Sequence, residues 1–415
     1  MTTLTAQLVR DAHKRLKGVV TETPLQYNER LSKQYGAHIF LKREDLQVVR
    51  SYKLRGAYNC ISKLSHSERD RGVVCASAGN HAQGVAFSCE KLSVKGWIYM
   101  PKNTPKQKVE RVRVLGGEWV TIELIGDTFD DSYAHAKNFC EKESRVFVHP
   151  FDNEYVAAGQ GTVAEEFVRQ LEKIPDAVVV PIGGGGLMAG VGTYIRSLSN
   201  DCELYGVEPS GAASMTAALA AGKPVTVQNI DKFVDGAAVA TVGNITFEAA
   251  RTFMKEVVKT PEGAVCEAMI GLYQSDGIIT EPAGALSVAA LEQIQDKIKG
   301  KTVVCVISGG NNDISRYPEV TERALVHRGL KHYFIVEFSQ RPGALREFLD
   351  NALGPRDDIT LFEYVKKSNK ERGPALVGVE LSVKDDLLPL QQRMTALGIS
   401  YEYLEQNSPV RKFLV

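Results

Sequence analysis

Ser51-Tyr52-Lys53-Leu54-Arg55-Gly56-Ala57 is the stretch around which this chain is organised. An apolar run before it, Ile39-Phe40-Leu41, reads as a short strand closed by Lys42-Arg43-Glu44-Asp45. After it, Leu54, Ala57, Tyr58, Ile61 and Leu64 recur at helical spacing, which predicts a helix over 54–64. Lys53 then stands at the helix start, near the positive end of the helix dipole. A cation is disfavoured there, and the same field helps lower a lysine pKa toward the range that a nucleophile or base needs. Taken alone, such a lysine is a solvated surface residue; two motifs elsewhere in the chain change that reading.

The first is Gly183-Gly184-Gly185-Gly186, set between the continuous apolar run Ala177 to Ile182 and the start of a helix to Ser197. A run of this kind suits a strand buried on both faces. Glycines let the backbone approach an anion closely, and free amides at a helix start favour negative charge. The second is Ser308-Gly309-Gly310-Asn311, which follows another buried run, Thr302 to Ile307. A lysine joined to a phosphate cradle suggests an aldehyde-phosphate cofactor, pyridoxal phosphate on a Schiff-base lysine. A rival reading exists. Gly184-x-Gly186-x-x-Ala189 fits dinucleotide spacing, and Glu208 ends the next strand at about the distance of a ribose contact. A nicotinamide-dependent dehydrogenase would satisfy that pattern, but it leaves Lys53 and the loop Ser77 to His81 without roles.

Ser51 to Ala57, Ser77-Ala78-Gly79-Asn80-His81, Gly183 to Leu187 and Ser308 to Asn311, in this order, resemble the motifs of the threonine/serine dehydratases. These are pyridoxal-phosphate lyases of the tryptophan synthase β-like fold, an α/β fold of two subdomains. The resemblance covers roughly residues 10 to 320 and implies roles. Lys53 would carry the cofactor and act as base at Cα. Asn80 would bond the ring hydroxyl, Gly183, Gly184, Gly185, Gly186 and Leu187 would hold the phosphate, and Ser308 would face the pyridine nitrogen. Ser77, Ala78, Gly79, Asn80 and His81 would hold the substrate carboxylate, with His81 positioning that loop. A hydroxyl at the ring nitrogen leaves the pyridine largely neutral, which favours prompt loss of a β-substituent over transamination. The implied reaction takes L-threonine to 2-oxobutanoate and ammonia, and L-serine to pyruvate. A related lyase or β-replacement enzyme of the same fold is the alternative.

Two departures narrow the resemblance. Racemases of this fold place a second serine as base where this chain has Ala78, which argues for dehydration. Their divalent-cation pattern ends in a carboxylate, whereas Glu208-Pro209-Ser210-Gly211-Ala212-Ala213-Ser214 ends in a serine. No metal site is therefore expected, although a weak monovalent cation site on Glu208 and backbone carbonyls fits. Glu281 has two readings, a neighbour of the cofactor ring or a helix cap.

Fifty basic residues balance fifty acidic ones over 415 residues, so no net field favours nucleic acid or an anionic membrane. The seven cysteines show no Cys-x-x-Cys pair and read as buried reduced thiols. Met1 to Thr5 has no secretory pattern and no apolar run approaches a membrane span, so a cytoplasmic protein is expected.

From residue 72 to about 307, strand and helix signals alternate, which predicts parallel sheets covered by helices on both faces. A small subdomain is expected over about 50–150 of a catalytic unit spanning 1–325. Helices are predicted over Thr246 to Val257 and from Glu281 to Ile298. Past 325 the order becomes βαββαβ, the split ferredoxin-like unit, with Lys366 to Gly373 as a polar loop. Arg341-Pro342-Gly343-Ala344-Leu345 resembles the strand–helix turn of ACT-like domains, which bind free amino acids. For residues 326–415 the resemblance implies allosteric regulation in isoleucine biosynthesis, with isoleucine as inhibitor, valine as antagonist, and a homo-oligomer, dimer or homotetramer.

Overall fold

A computed structural model describes residues 4–366, 370–405 and 408–410, so Met1 to Thr3 and the middle of the 366–373 loop lie outside the described residues. The chain divides into two compact units, Met1–Asp313 and Ile314–Val415. The first holds two sheets.

The smaller sheet runs Val120–Leu124, Gly96–Met100, Val73–Ala76 and Val146–Phe147, all parallel. Helices Lys53–Ser62, Asn80–Leu92 and Lys106–Gly116 bury Ala57, Ile61, Val85, Ala86 and Val112 against it, with Cys75 and Ile98 from the strands. The larger sheet runs Leu25–Tyr27, His38–Arg43, Thr302–Ile307, Ala177–Pro181, Glu203–Pro209 and Glu256–Thr260. Only its first pair is antiparallel. The central strands Thr302–Ile307 and Ala177–Pro181 are buried throughout, which is why they read as unbroken apolar runs.

The long helix Glu154–Leu171 lies between the Lys53 helix and the helix Gly186–Arg196. It crosses both on glycine. A Cβ at Gly159 would stand 2.5 Å from the Arg55 carbonyl oxygen, and one at Gly190 would stand 2.1 Å from the Ala157 carbonyl oxygen. Only bare backbone permits these approaches.

Two expected helices are corrected. Over 246–257 the helix is Asn244–Ala250, and Val257-Val258 instead enter the edge strand Glu256–Thr260 beside Glu203–Pro209. The β-branched pair satisfies its backbone in the sheet, where such residues pack well. Between Glu281 and Ile298 the helix stops at Ala289, where bonds such as Leu291 N to the Val288 oxygen tighten to three-residue spacing, and Gln295–Ile298 is a separate turn. The strand Leu25–Tyr27 and the helices Glu29–Tyr35, His66–Arg71 and Tyr317–His327 had no distinct sequence signal.

The second unit has the antiparallel order Asp358–Tyr364, Arg372–Glu380, Lys331–Ser339, Ser400–Tyr403, with helices Ala344–Asn351 and Leu387–Ala396. This is the βαββαβ arrangement. Phe334, Val336, Phe338, Phe348, Val377 and Leu390 form its core.

Candidate active site

Lys53 is the first residue of its helix, whose N-terminus has no side-chain cap. Its Nζ donates to the Pro150 carbonyl at 3.1 Å and lies 5.4 Å from the centre of the Tyr52 ring. Among the described residues no second hydrogen-bond acceptor engages that amine, although an ammonium offers three donors. Burial pushes its pKa down to about 8, with the negative charge of Glu281 pulling the other way. The backbone ties this turn to Ser308, because Tyr52 N donates to the Ser308 oxygen at 3.2 Å.

Pro150 is followed by Phe151, which lies against the glycine loop. Phe151 packs so closely on it that a Cβ at Gly184 would fall 2.2 Å from the ring. Gly185 takes φ +90°, a left-handed conformation that favours glycine. The Gly184 oxygen accepts from Thr246 Oγ1 at 2.6 Å and from Gly243 N at 3.2 Å, which pins the loop from behind. Among the described residues, the amides of Gly183, Gly184 and Gly185 reach no protein acceptor. With the first amides of the helix Gly186–Arg196 they form a set of free donors at a positive helix end.

The Ser77–His81 loop leaves the strand Val73–Ala76 and enters the helix Asn80–Leu92. Ser77, Ala78, Gly79 and Asn80 are half-buried, and Gly79 N donates to Ser77 Oγ at 3.2 Å. Asn80 Nδ2 donates to Glu281 Oε1 at 2.6 Å, and its Oδ1 accepts from Asn311 Nδ2 at 2.7 Å. That second bond joins the Asn80 loop to the Ser308–Asn311 turn. His81 Nε2 donates to the Val148 oxygen at 2.8 Å, leaving Nδ1 buried without a partner. Burial, then the charge of Lys53, presses its pKa down to about 3, so the ring is neutral and suits positioning rather than proton transfer at physiological pH.

Glu281 is the residue that sequence reasoning left undecided. It precedes the helix Pro282–Ala289 but makes no side-chain cap bond. Its carboxyl group turns to Asn80, and burial, reinforced by Asp235, raises its pKa to about 7. A Cβ at Gly309 would stand 2.5 Å from Glu281 Oε1, so that glycine is what admits the carboxyl group. Ser308 is buried, with Oγ donating to the Ala283 oxygen at 3.2 Å.

Glu208 is otherwise engaged. Its carboxylate accepts from Met215 N at 2.6 Å and from Thr216 N and Thr216 Oγ1 at 2.9 Å, at the start of the helix Ser214–Ala221. A ribose contact would have to displace these bonds. No group of three or more His, Cys, Asp or Glu side chains suited to a metal occurs among the described residues. All seven cysteines are buried.

The donor set fits pyridoxal phosphate. A half-buried lysine amine has one protein acceptor, Pro150, and the next residue, Phe151, packs on a loop of free amides. The same segment, Pro150-Phe151, touches both.

Comparison with known proteins agrees. The model of the pyridoxal-phosphate-dependent enzymes matches residues 16–309, and that of the C-terminal regulatory domain of threonine dehydratase matches residues 322–414. The biosynthetic L-threonine dehydratase of Bacillus subtilis (strain 168) is 55% identical over 404 residues, 97% of this chain and 96% of that protein. The processed form of threonine deaminase isoform 2 from Solanum lycopersicum superposes with a TM-score of 0.73 at 42% identity, over 77% of this chain and 92% of that one. Serine racemase from Dictyostelium discoideum gives 0.70 at 32% identity, over 75% and 100%.

Proposed function

From the premise that this chain belongs to the biosynthetic threonine dehydratases, pyridoxal-phosphate-dependent lyases, we propose how its residues divide the work. The activity is L-threonine dehydration, with loss of water across Cα–Cβ and hydrolysis of the resulting enamine to 2-oxobutanoate and ammonia, a step of isoleucine biosynthesis.

Bound pyridoxal phosphate supplies an electron sink that acidifies the substrate Cα–H. The chain supplies the rest. Lys53 would hold the cofactor and, as a free amine, would take the Cα proton. Its depressed pKa supports this, because a base must be unprotonated near neutral pH. Gly183 to Leu187 would hold the phosphate with backbone amides. Asn80 would bond the ring hydroxyl through Nδ2, and Ser308 would meet the ring nitrogen without supplying a formal charge. Ser77, Ala78, Gly79, Asn80 and His81 would hold the substrate carboxylate, since their half-buried loop leads into a helix N-terminus. The observation that carries this division is the Lys53 amine, with one acceptor, placed on the segment that packs against the glycine loop.

The catalytic unit is taken as residues 1–325 and the regulatory, ACT-like unit as 326–415, with the boundary inside the helix Tyr317–His327. Isoleucine is the proposed inhibitor and valine its antagonist, acting by shifting an equilibrium between assembly states of a homo-oligomer. A cytoplasmic site of action is proposed as well. No described helix is long and apolar enough to cross a membrane.

The test is an absorbance spectrum of the purified protein before and after L-threonine, with 2-oxo acid assayed in the same sample and isoleucine titrated last. A visible band that changes with threonine while 2-oxobutanoate accumulates is expected, with turnover falling as isoleucine rises. A band without product would break the substrate reading. Turnover insensitive to isoleucine would break the regulatory one.

A further inference from the structure

Two residues beyond Lys53, Arg55 lies at the centre of a buried ion cluster that the reaction itself does not use. Its side chain is fully buried. Nε and Nη2 donate to Glu44 Oε2 and Oε1, each at 2.8 Å. Nη1 and Nη2 donate to Glu166 Oε1 and Oε2 at 2.6 and 2.8 Å, and Nη1 reaches Thr162 Oγ1 at 3.1 Å. Lys42 Nζ completes the charge balance, donating to Glu166 Oε2 at 2.7 Å, to the Thr23 oxygen at 2.6 Å and to Gln170 Oε1 at 3.1 Å. Two cations thus face two carboxylates with almost no solvent.

A buried ion cluster is weak grounds for stability, because well-packed apolar residues often serve as well. What it fixes here is geometry. The Lys53 helix has no side-chain cap to set its first turn. Its register comes instead from Gly56 N donating to Gln160 Oε1 at 3.1 Å, and from the planar fork of Arg55 on two carboxylates. Gln160, Thr162 and Glu166 all belong to Glu154–Leu171, the helix that also crosses the phosphate-loop helix on Gly161 and Gly190. Glu44 lies in the turn after the strand His38–Arg43, whose neighbour Thr302–Ile307 leads to Ser308. Arg55 thus links the Lys53 helix to the two elements that lead to the phosphate loop and to Ser308, beside the backbone bonds of Gly56 and Tyr52.

We infer that Arg55 is a positioning residue: with Glu44 and Glu166 it sets the distance between the Lys53 amine, the glycine loop and Ser308. This rests on Lys53 carrying the cofactor. The role needs a bidentate fork on each side, so lysine replaces it only in part.

The test compares holoenzymes of Arg55→Met, Arg55→Lys and Glu44→Gln with the parent protein. Three quantities are read: kcat, KM for threonine, and the circular dichroism of the visible cofactor band, which reports how the chromophore is seated. A misplacement on the order of 1 Å lowers turnover by about 10- to 100-fold. Arg55→Met should show that loss with KM within about 3-fold, as expected when alignment rather than ground-state binding is lost, and an altered visible dichroism. Arg55→Lys should recover part of both. A folded Arg55→Met protein with unchanged kcat and dichroism overturns the inference, even if it melts earlier. If Arg55→Met does not fold, Glu44→Gln decides: lowered kcat with changed dichroism supports the role, and parental values of both overturn it. An active Lys53→Ala variant would break the underlying reading instead, so the two failures are separable.

Discussion

Two cations, Lys53 half-buried and Arg55 fully buried, sit on one turn of one helix and meet opposite fates. The Arg55 side chain reaches two carboxylates, a hydroxyl and a carbonyl, and although burial works against its charge, Glu44 and Glu166 reverse that and hold its pKa above the ordinary value. The Lys53 amine reaches a single carbonyl, and burial wins, bringing it down to about 8. The difference lies in the partners: reactivity at Lys53 comes from carboxylates withheld, and rigidity at Arg55 from carboxylates supplied.

Lys53→Ala gives the largest effect on that comparison. Turnover should fall by at least about 10³-fold, since both cofactor linkage and the base are lost. Compared with cofactor-free parent protein, the melting temperature should hold or rise, because the deleted amine was half-buried with one acceptor. A variant that still turns over threonine, or one that unfolds, would show that the two cations are not divided as described.

Arg55→Met is next, and the contrast predicts the opposite balance. Stability should fall by about 3–5 kcal/mol, since Glu44 and Glu166 stay buried with Lys42 as their remaining cation. The pH dependence has a definite sign. In the parent, burial raises the Glu166 pKa, but Arg55 and Lys42 more than reverse it and leave it lowered. Its stabilisation is therefore present above the ordinary carboxylate range and lost as pH falls through the depressed value. Without Arg55 the Glu166 carboxylate loses a partner that holds its pKa down and can take a proton, so the deficit should shrink as pH drops toward about 4.5. Denaturant midpoints at several pH values measure this, and a pH-independent deficit would point to lost packing alone.

The sequence was informative where one residue type had one purpose. The central strands read as apolar runs because both faces are buried, and the glycine loop stood out because four glycines exceed what a turn requires. Lys53 was singled out by its place at a helix start only together with the glycine loop and the Ser308–Asn311 turn. The Arg55 cluster was not, although Arg55 lies inside the quoted motif. Its partners Glu44 and Glu166 are far apart in the chain, and Glu44 sits in a charged run that looks like the solvated end of a strand. Edge elements such as Glu256–Thr260 were misread because Val257-Val258 satisfy a helix pattern as well as a strand until the neighbouring strand is in place. Glu281 stayed undecided because a carboxylate before a Pro-initiated helix usually caps it, and only the fold shows the side chain turned toward Asn80.

Glu281 also supplies the smallest prediction, and the one most specific to the Lys53 side of the comparison. Burial, with Asp235 adding to it, lifts its pKa from 4.5 to about 7. The folded protein thus binds this proton more tightly than the unfolded chain does. Its contribution is most favourable below about 4.5 and is lost as pH rises to about 7. Glu281→Gln removes that titration while keeping an acceptor for Asn80 Nδ2. In cofactor-free protein the stability of the variant relative to the parent should therefore rise with pH across this window, by up to about 3 kcal/mol, and level off above it. Lys53 should respond as well. Glu281 raises its pKa against the effect of burial, so in the variant the midpoint for its reaction with an amine-directed reagent should fall below about 8. If the midpoint stays in place while the stability difference appears, Glu281 and Lys53 titrate independently, and the low pKa of the lysine is set by burial and the helix end alone.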